Sequence, residues 1–250
     1  MNATTSHNQP PFSTVALITG AAKRLGAATA KRLHQCGMSI VIHYQYSERE
    51  AAALMGELND IRTDSAIHVQ ADLAHLDELQ RLADVATDFK GGLSVLINNA
   101  SSFYPTTLES AQESDWNDLF ASNAKAPYFL CQALSNTLKE NQGCIINMVD
   151  IHAQRPLKDH SIYSMAKSSL ITLTKSLAKE LAPEVRVNAV APGAILWPDN
   201  ISEIEKKTIL AGIPLQRLGK PEDIADTIRF LVDADYITGQ VIAVDGGRSL

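Results

Sequence analysis

Cysteine, excess positive charge and long apolar runs are all scarce in this chain of 250 residues. Cys36, Cys131 and Cys144 are widely spaced and form no Cys-x-x-Cys or Cys/His pattern, so we expect reduced thiols and no metal site. The net charge of -6 excludes a general attraction to phosphate backbones, so we expect no nucleic-acid partner. Because no run of about 18 apolar residues and no secretion signal is found, we expect a cytoplasmic protein that does not enter a membrane.

Short apolar segments alternate with longer helical patterns from residue 14 onward. The segments that we predict to be strands are 14–19, 38–44, 66–71, 94–100, 143–149, 185–191 and 240–245. Strands that are apolar at nearly every residue are buried on both faces, as in a parallel sheet between helices. We therefore predict an α/β fold with one Rossmann-type, doubly wound parallel sheet of about seven strands.

The alternation continues without a linker, which predicts one domain over residues 14–250. Residues 1–13 lack this pattern and are predicted to be a flexible N-terminal segment. A polar, helical stretch near residues 195–212 separates the last two strands, and we expect it to form a lid or substrate loop.

The turn after the first strand is rich in glycine and carries two cations. Gly20 and Gly26 flank Lys23, Arg24 and Leu25 in the sequence TGAAKRLG, which opens a helical pattern. Glycine lets a backbone approach a ligand, and a helix start offers free N–H groups to a phosphate. A tight turn without a ligand needs the same glycines. The cations favour a phosphate site, because positive charge at a helix start is otherwise unfavourable.

The second strand distinguishes between the two nicotinamide dinucleotides. It runs into His43, Tyr44 and Ser47 without an acidic residue, and the first acid is Glu48. A carboxylate at this place binds the ribose 2'-OH of NAD and would repel the 2'-phosphate of NADP. We therefore predict that the site binds NADP(H), with Lys23 and Ser47 near the phosphate.

Asp72 and Leu73 follow the third strand. Asp72 is in position to accept a hydrogen bond from an adenine amino group, with Leu73 beside it. Asp72 is equally suited to cap the next helix, and the sequence leaves both interpretations open.

Tyr163 and Lys167 lie one helical turn apart and on the same face of a predicted helix. A phenol has an ordinary pKa of about 10 and is a poor proton donor. A nearby ammonium lowers that pKa, so we expect Tyr163 to act as a general acid with Lys167 tuning it and binding the nicotinamide ribose. An exposed Tyr/Lys pair on an amphipathic helix is the alternative.

These motifs together resemble the short-chain dehydrogenase/reductase family. They are Gly20 to Gly26, NNA at 98–100, Asn123, Tyr163 with Lys167, and PG at 192–193. The resemblance implies hydride transfer between a nicotinamide and a substrate, and a dimer or homotetramer. It also implies that Asn99 and Ala100 line the cofactor, that Asn123 holds a water, and that Pro192 and Gly193 pack by the nicotinamide.

Two departures from the general family pattern resemble its pteridine reductase branch, which includes bacterial dihydromonapterin reductases. Arg24 stands where most members have a third glycine, and Asp150 stands where they have a substrate-orienting serine. The stretch NNASSFYPT at 98–106 supports the same resemblance. It implies that Arg24, Ser101, Phe103, Asp150 and Tyr163 surround a pterin, with Phe103 stacking on it. We also expect Trp197 to close over the substrate, although it is equally suited to packing.

Asp150 is the residue from which we infer the class of substrate. An ionised carboxylate repels a growing oxyanion, so it suits carbonyl reduction poorly. A pterin instead offers ring nitrogens and an amino group that donate to a carboxylate. A turn cap for Asp150 and a core position for Phe103 are the structural alternatives.

Three functions follow in order of preference. The first is NADPH-dependent reduction of a dihydropterin, such as dihydromonapterin, dihydrobiopterin or dihydrofolate. The second is a carbonyl or sugar reductase in which Asp150 is incidental. The third is an NADP(H)-binding regulator without chemistry.

Overall fold

The computed structural model describes residues 14–197 and 201–250. Seven strands lie within these residues: β1 (Val15–Ile18), β2 (Ser39–Tyr44), β3 (Ala66–Gln70), β4 (Leu93–Asn98), β5 (Cys144–Met148), β6 (Arg186–Pro192) and β7 (Val241–Val244). Each coincides with one of the seven apolar segments, so the α/β prediction is confirmed. The predicted flexible segment 1–13 lies outside the described residues.

Eight α-helices connect or flank these strands within the same residues. They are α1 (Arg24–Gln35), α2 (Glu48–Ile61), α3 (Leu76–Asp88), α4 (Glu113–Phe120), α5 (Ala126–Glu140), α6 (Ser161–Glu180), α7 (Glu203–Ala211) and α8 (Pro221–Asp233). The predicted substrate loop near 195–212 contains α7, and its residues 198–200 lie outside the described part. In that part no helix is long and apolar enough to cross a membrane.

The strands form one parallel sheet in the order β3-β2-β1-β4-β5-β6-β7. Side chains alternate between its faces, so Val15 and Leu17 of β1 pack toward α3, α5 and α6. Ala16 and Ile18 pack toward α1, α2 and α8. Burial on both faces explains why the inner strands are apolar at nearly every residue, whereas the edge strands β3 and β7 are only partly buried. The strand order reverses between β1 and β4, where open α/β sheets bind their ligands.

A buried polar chain fixes α6 against the sheet. Asn98 on β4 and Asn147 on β5 are register partners, and the Asn98 amide donates to Asn147 Oδ1 at 2.9 Å. The Asn147 amide in turn donates to the Thr174 hydroxyl on α6 at 2.9 Å. Buried polar groups persist when they are hydrogen-bonded to one another, and these bonds fix the position of α6 relative to β5.

Candidate active site

A cavity of about 550 Å³ lies at the carboxyl edge of the sheet, a volume in the range of small-molecule sites. Most of the predicted site residues line it: Gly20, Lys23, Arg24, Leu25, Gly26, His43, Asp72, Leu73, Asn99, Ala100, Ser101, Phe103, Asp150, Tyr163, Lys167, Pro192 and Gly193. The fold therefore brings together residues that are more than a hundred positions apart in the chain. Tyr44, Ser47, Asn123 and Trp197 are not among its lining residues.

Tyr44 faces away from the cavity because side chains alternate along a strand. His43 points into the cavity, so its neighbour Tyr44 points to the opposite face of β2. There Tyr44 is buried and its ring stacks on His68 with 5.6 Å between centroids. The structure does not bring the Tyr44 side chain to the cavity. Ser47 likewise lies outside the lining, at the N-cap of α2, and Gln45 lines the cavity in its place.

Trp197 also lies outside the lining, beside α7. The Lys206 ammonium lies 5.9 Å from the centre of its ring. Ile195 and Leu196, just before it in the chain, line the cavity instead. The expected closure of Trp197 over a substrate stays a prediction.

The turn from β1 into α1 brings bare backbone to the cavity. Gly20 has φ 61°, and a Cβ there would lie 3.0 Å from Ala100 Cα. Arg24 has φ 53°, a left-handed conformation that costs a non-glycine residue about 1 kcal/mol. Arg24 therefore adopts a backbone conformation that favours glycine, at the position where the family pattern predicts a glycine.

The start of α1 is suited to an anion. Its N-cap residue Lys23 makes no side-chain capping bond, and the first turn of α1 contains no acidic residue. The N–H groups of Arg24, Leu25 and Gly26 belong to this first turn, where amides have no intrahelical acceptor. All three residues line the cavity, so the helix presents partial positive charge to it.

Thr19 joins the two loops of the cavity, and the sequence reasoning missed it. Its hydroxyl oxygen accepts from the backbone N–H groups of Asn99 and Ala100, each at 2.9 Å. The Asn99 amide donates to the carbonyl oxygens of Thr19 at 2.8 Å and Gly20 at 3.1 Å. These bonds connect the end of β1 to the end of β4. The signal was present in the sequence as a threonine closing an otherwise apolar strand.

His43 is a neutral bridge rather than a cation for a phosphate. Its Nδ1 accepts from the Gly20 N–H at 3.0 Å, and Nε2 lies 3.0 Å from the Ala71 carbonyl oxygen, to which it donates. Burial lowers the pKa of His43 to about 4, so the ring is uncharged at neutral pH. Both ring nitrogens are used to fix the glycine turn and the end of β3.

Asp72 does not cap α3, because the N-cap residue of that helix is His75 and no side chain makes a capping bond there, so the helix-cap interpretation is wrong. Asp72 instead closes the turn before the helix. Its Oδ1 accepts from the Ala74 N–H at 3.0 Å, and its own N–H donates to Glu78 at 2.6 Å. The carboxyl also lies 3.7 Å from the His75 ring. Asp72 lines the cavity at the same time, so an additional role toward an adenine ring stays a prediction.

Asp150 and Tyr163 meet at the other end of the cavity. The Tyr163 hydroxyl donates to Asp150 Oδ2 at 2.8 Å, while Asp150 Oδ1 accepts from the His152 N–H at 2.7 Å. One carboxylate oxygen therefore caps the 3-10 turn Ile151–Ala153 that follows β5, and the other is directed at the phenol. The structural and the chemical interpretations of Asp150 are compatible.

The pKa of Tyr163 is raised, which is opposite to the direction expected from Lys167. Burial raises it most, and the charge of Asp150 and the hydrogen bond to Asp150 raise it further. The predicted lowering of this pKa by Lys167 is therefore wrong. In the structure its Nζ donates to the Met148 carbonyl oxygen at 2.8 Å, 5.9 Å from the centre of the Tyr163 ring.

Lys167 is itself perturbed. Burial lowers its pKa to about 8, although the charge of Asp150 raises it. Lys167 is 2% exposed, and its ammonium is stabilised by the Met148 carbonyl oxygen to which it donates and by the negative charge of Asp150. The three groups Asp150, Tyr163 and Lys167 thus form one electrostatic unit.

Ser101 links this unit to Asn123. The Ser101 hydroxyl donates to Asn123 Oδ1 at 2.6 Å, and it also acts to lower the pKa of Tyr163. The Asn123 amide donates to the carbonyl oxygens of Leu119 at 2.9 Å and Ser102 at 3.0 Å. Asn123 belongs to a π-helical turn, Ala121–Lys125, a feature often found at functional sites. Its predicted role in holding a water stays a prediction.

Phe103 forms a half-exposed aromatic wall. Its ring stacks on His160 with 4.8 Å between centroids and meets Tyr163 edge-on, also at 4.8 Å. Phe103 is 52% exposed, so the structure does not place it in the core. A flat aromatic ligand would find a stacking surface there.

Comparisons with known proteins identify the family of the chain. Residues 20–249 match the family described as enoyl-(acyl carrier protein) reductase. Pteridine reductase 1 of Leishmania tarentolae is 39% identical, over 96% of this chain and 98% of that protein. The 3-oxoacyl-(acyl-carrier-protein) reductase of Synechocystis sp. is 40% identical, over 93% of this chain and 96% of that protein. The enzyme of the same name from Staphylococcus aureus is 36% identical, over 93% of this chain and 96% of that protein.

The chain belongs to the short-chain dehydrogenase/reductase family. The family predicted from the motifs is therefore confirmed, and the protein is an oxidoreductase. Short-chain dehydrogenases/reductases use NAD(P)H. The uncapped start of α1 and the cavity that it shares with Asp150 and Tyr163 fit such a dinucleotide. Gly20 to Gly26 would hold its phosphates, and Tyr163 and Lys167 would lie at its nicotinamide end.

Asp118 is a further cavity residue of this short-chain dehydrogenase/reductase that sequence reasoning missed. It accepts from the Tyr104 hydroxyl at 2.9 Å, and burial together with Asp118 raises the pKa of Tyr104 to about 12. The backbone N–H of Thr106 donates to the Asp159 carbonyl oxygen at 2.6 Å. These contacts anchor the segment that carries Phe103. No sequence motif predicts these contacts, because they depend on how α4 and the loop before α6 pack against this segment.

Proposed function

We propose that the protein reduces a dihydropterin to its tetrahydro form with NADPH. Dihydromonapterin, dihydrobiopterin and dihydrofolate belong to this substrate class. The observation that carries the proposal is the hydrogen bond of 2.8 Å from the Tyr163 hydroxyl to Asp150 Oδ2, on the wall of the cavity. The likeness to pteridine reductase 1 of Leishmania tarentolae supports it.

The reaction adds one hydride and one proton across a C=N bond. NADPH, when bound, supplies the hydride to the carbon. Tyr163 holds the proton on its phenol oxygen, and its raised pKa opposes release of that proton. The negative charge that builds on the nitrogen as the hydride adds to the carbon draws the proton across. Asp150 accepts from the N–H donors of the pterin and shares the proton with Tyr163. Lys167 compensates the negative charge left on this pair, because it carries the nearby ammonium.

The polarity of Asp150 favours a nitrogen heterocycle over a ketone. A ketone oxygen gains negative charge during reduction and needs a hydrogen-bond donor, which an ionised carboxylate lacks. Phe103 adds an aromatic face of the kind that a flat ring system stacks on. Arg24 and Ser101, which line the same cavity, would complete the polar contacts to the pterin.

Carbonyl reduction is the second candidate. The relatives named 3-oxoacyl-(acyl-carrier-protein) reductase are as similar to this chain as the pteridine reductase is. Under this alternative Asp150 only caps its turn, and a hydroxyl such as that of Ser101 would orient the ketone.

The decisive experiment compares NADPH oxidation with dihydrobiopterin or dihydromonapterin against oxidation with a 3-oxoacyl thioester. We expect the pterin to be turned over faster, and Asp150→Ser to lose more than about tenfold of that turnover because the acceptor is gone. Asp235→Ser, an exposed position after α8, is the control and should retain activity. Turnover of the thioester alone, with Asp150→Ser neutral, would assign the protein to the second candidate.

A further inference from the structure

Lys23, the cation predicted to meet the cofactor's phosphate, already has an anionic partner. Its ammonium lies 3.0 Å from Glu50 Oε1, and the two side chains are 51% and 38% exposed. Lys23 lines the cavity, whereas Glu50 belongs to the first turn of α2. The hydrogen bond from Lys23 is the main cause that lowers the pKa of Glu50, so the carboxylate is charged at neutral pH.

This contact changes the sequence argument about the dinucleotide. The absence of an acid between the end of β2 and Glu48 favours NADP(H) in the sequence. The start of α2 lies beside the start of α1, and the fold thereby brings the acid at position 50 to the ammonium of Lys23, which lines the cavity. A negative charge is therefore present near the expected 2'-phosphate position, and it comes from Glu50 in the first turn of α2.

We propose that Glu50 is a specificity-determining residue that weakens the preference of this protein for NADP(H) over NAD(H). The inference rests on the proposed function, because it assumes that Lys23 meets the 2'-phosphate. Glu50 acts by sharing the Lys23 ammonium with that phosphate. It does not touch the reacting atoms.

The physical reason is a difference between the two dinucleotides at one position. NADP(H) carries a phosphate where NAD(H) carries a hydroxyl. Two anions that share one ammonium repel each other across a short distance, and the half-exposed setting screens this repulsion without abolishing it. A hydroxyl suffers no such repulsion and can donate to a carboxylate. Glu50 therefore selects against the phosphate and is neutral or favourable toward the hydroxyl.

Calorimetric titration of the purified protein with NADP⁺ and with NAD⁺ tests this inference without any turnover. We expect Glu50→Gln to tighten NADP⁺ binding by about threefold to tenfold and to leave NAD⁺ binding equal or weaker. The gain should shrink at high salt, because exposed charges are screened.

The chain offers a matched control on the same two helices. Lys31 and Glu57 form a second ion pair between α1 and α2, with 2.7 Å between Nζ and Oε2, and neither residue lines the cavity. Glu57→Gln removes the same charge and an equivalent contact, so a general electrostatic or stability effect would appear in it too. We expect it to change the affinity for either dinucleotide by less than about twofold.

Two outcomes separate failure of this inference from failure of the proposed function. If the wild-type protein prefers NADP⁺ and Glu50→Gln leaves its affinity unchanged or lowers it, Glu50 merely orients Lys23 and the inference is overturned. If the wild-type protein prefers NAD⁺ and Lys23→Gln changes neither affinity, the NADPH part of the proposed function fails, and the inference fails with it.

Discussion

The two ends of the cavity each have a lysine and a carboxylate, but they differ in how deeply these charged groups are buried. At the end formed by Asp150, Tyr163 and Lys167, the phenol and the ammonium are almost fully buried. At the end formed by Lys23 and Glu50, the charges are a third to a half exposed. Lys23 and Glu50 form an ion pair, whereas Lys167 interacts with Asp150 through its charge and donates to the Met148 carbonyl oxygen. Only the buried end changes the protonation chemistry strongly. Lys167 has its pKa lowered to about 8.

The difference shows what burial contributes to each function. Removing water makes each charge sensitive to its neighbours, so protons can be held and moved at the buried end. At the exposed end, solvent screens the charges, and they adjust affinity by modest factors. We therefore expect the chemistry to depend on the buried unit and, under the inference above, the choice of dinucleotide to depend on the screened pair.

The sharpest way to separate the two ends is Tyr163→Phe. Loss of the phenol oxygen removes the proton donor, and we expect turnover to fall by about 100-fold to 10,000-fold. Dinucleotide affinity, measured by calorimetry, should change by less than about threefold because the exposed end is untouched. A loss of less than about tenfold in single-turnover rate would show that another group supplies the proton.

The pH dependence of stability tests whether the glycine turn at the phosphate end of the cavity needs the His43 imidazole to be uncharged. Its folded pKa of about 4 lies below the ordinary value of 6.5, so between these values the unfolded chain binds the extra proton. Stability is therefore lost as pH falls from 6.5 toward 4, by about 3 kcal/mol in total. Urea unfolding at several pH values should show this slope reduced in His43→Gln and kept in His75→Gln, an exposed histidine. An equal slope in all three proteins would contradict the conclusion that His43 is held uncharged in the folded protein.

The pH dependence of turnover probes the buried lysine. With a pKa of about 8, the Lys167 ammonium is lost as pH rises through that value. We expect kcat/KM to fall by about tenfold per pH unit above it. Asp150 raises the pKa of Lys167, so Asp150→Asn should move this alkaline limb to lower pH. A profile that stays flat to about pH 9.5 would remove Lys167 from the proton chemistry.

The smallest effect concerns the backbone at Arg24. Its φ of 53° favours glycine, so Arg24→Gly should be more stable than Arg24→Ala by about 1 kcal/mol in thermal or urea unfolding. Both variants lose the guanidinium, so both should bind a dihydropterin more weakly and by a similar factor. Equal stability of the two variants would show that the turn relaxes when the side chain is shortened.

The fold could be predicted from the sequence because its main signal is local. All seven strands were located from apolar runs, which are continuous where a strand is buried on both faces. Tyr163 and Lys167 could be placed on one face because they are four residues apart on a helix. Tyr44 could have been excluded by the same reasoning, since it cannot share a face with His43.

The remaining features depend on contacts between distant segments. The raised pKa of Tyr163 follows from burial and from Asp150, whereas the sequence reasoning gave the nearby lysine the larger weight. The ion pair of Glu50 with Lys23 depends on how α1 and α2 pack, and no spacing rule announces it. Sequence reasoning therefore identified the groups of the buried end but not the direction in which they act on one another.

The hydroxyl of Thr19 has a mechanical consequence for the whole cavity. By accepting from the amides of Asn99 and Ala100, it links the strand end before the glycine turn to the loop after β4, so we expect the two loops to move together. A disturbance at either loop is then transmitted to the other, although different strands carry them. Thr19→Val keeps the shape of the side chain and deletes the acceptor. We expect this change to loosen the glycine turn relative to the loop after β4 and to disturb the alignment on which hydride transfer depends.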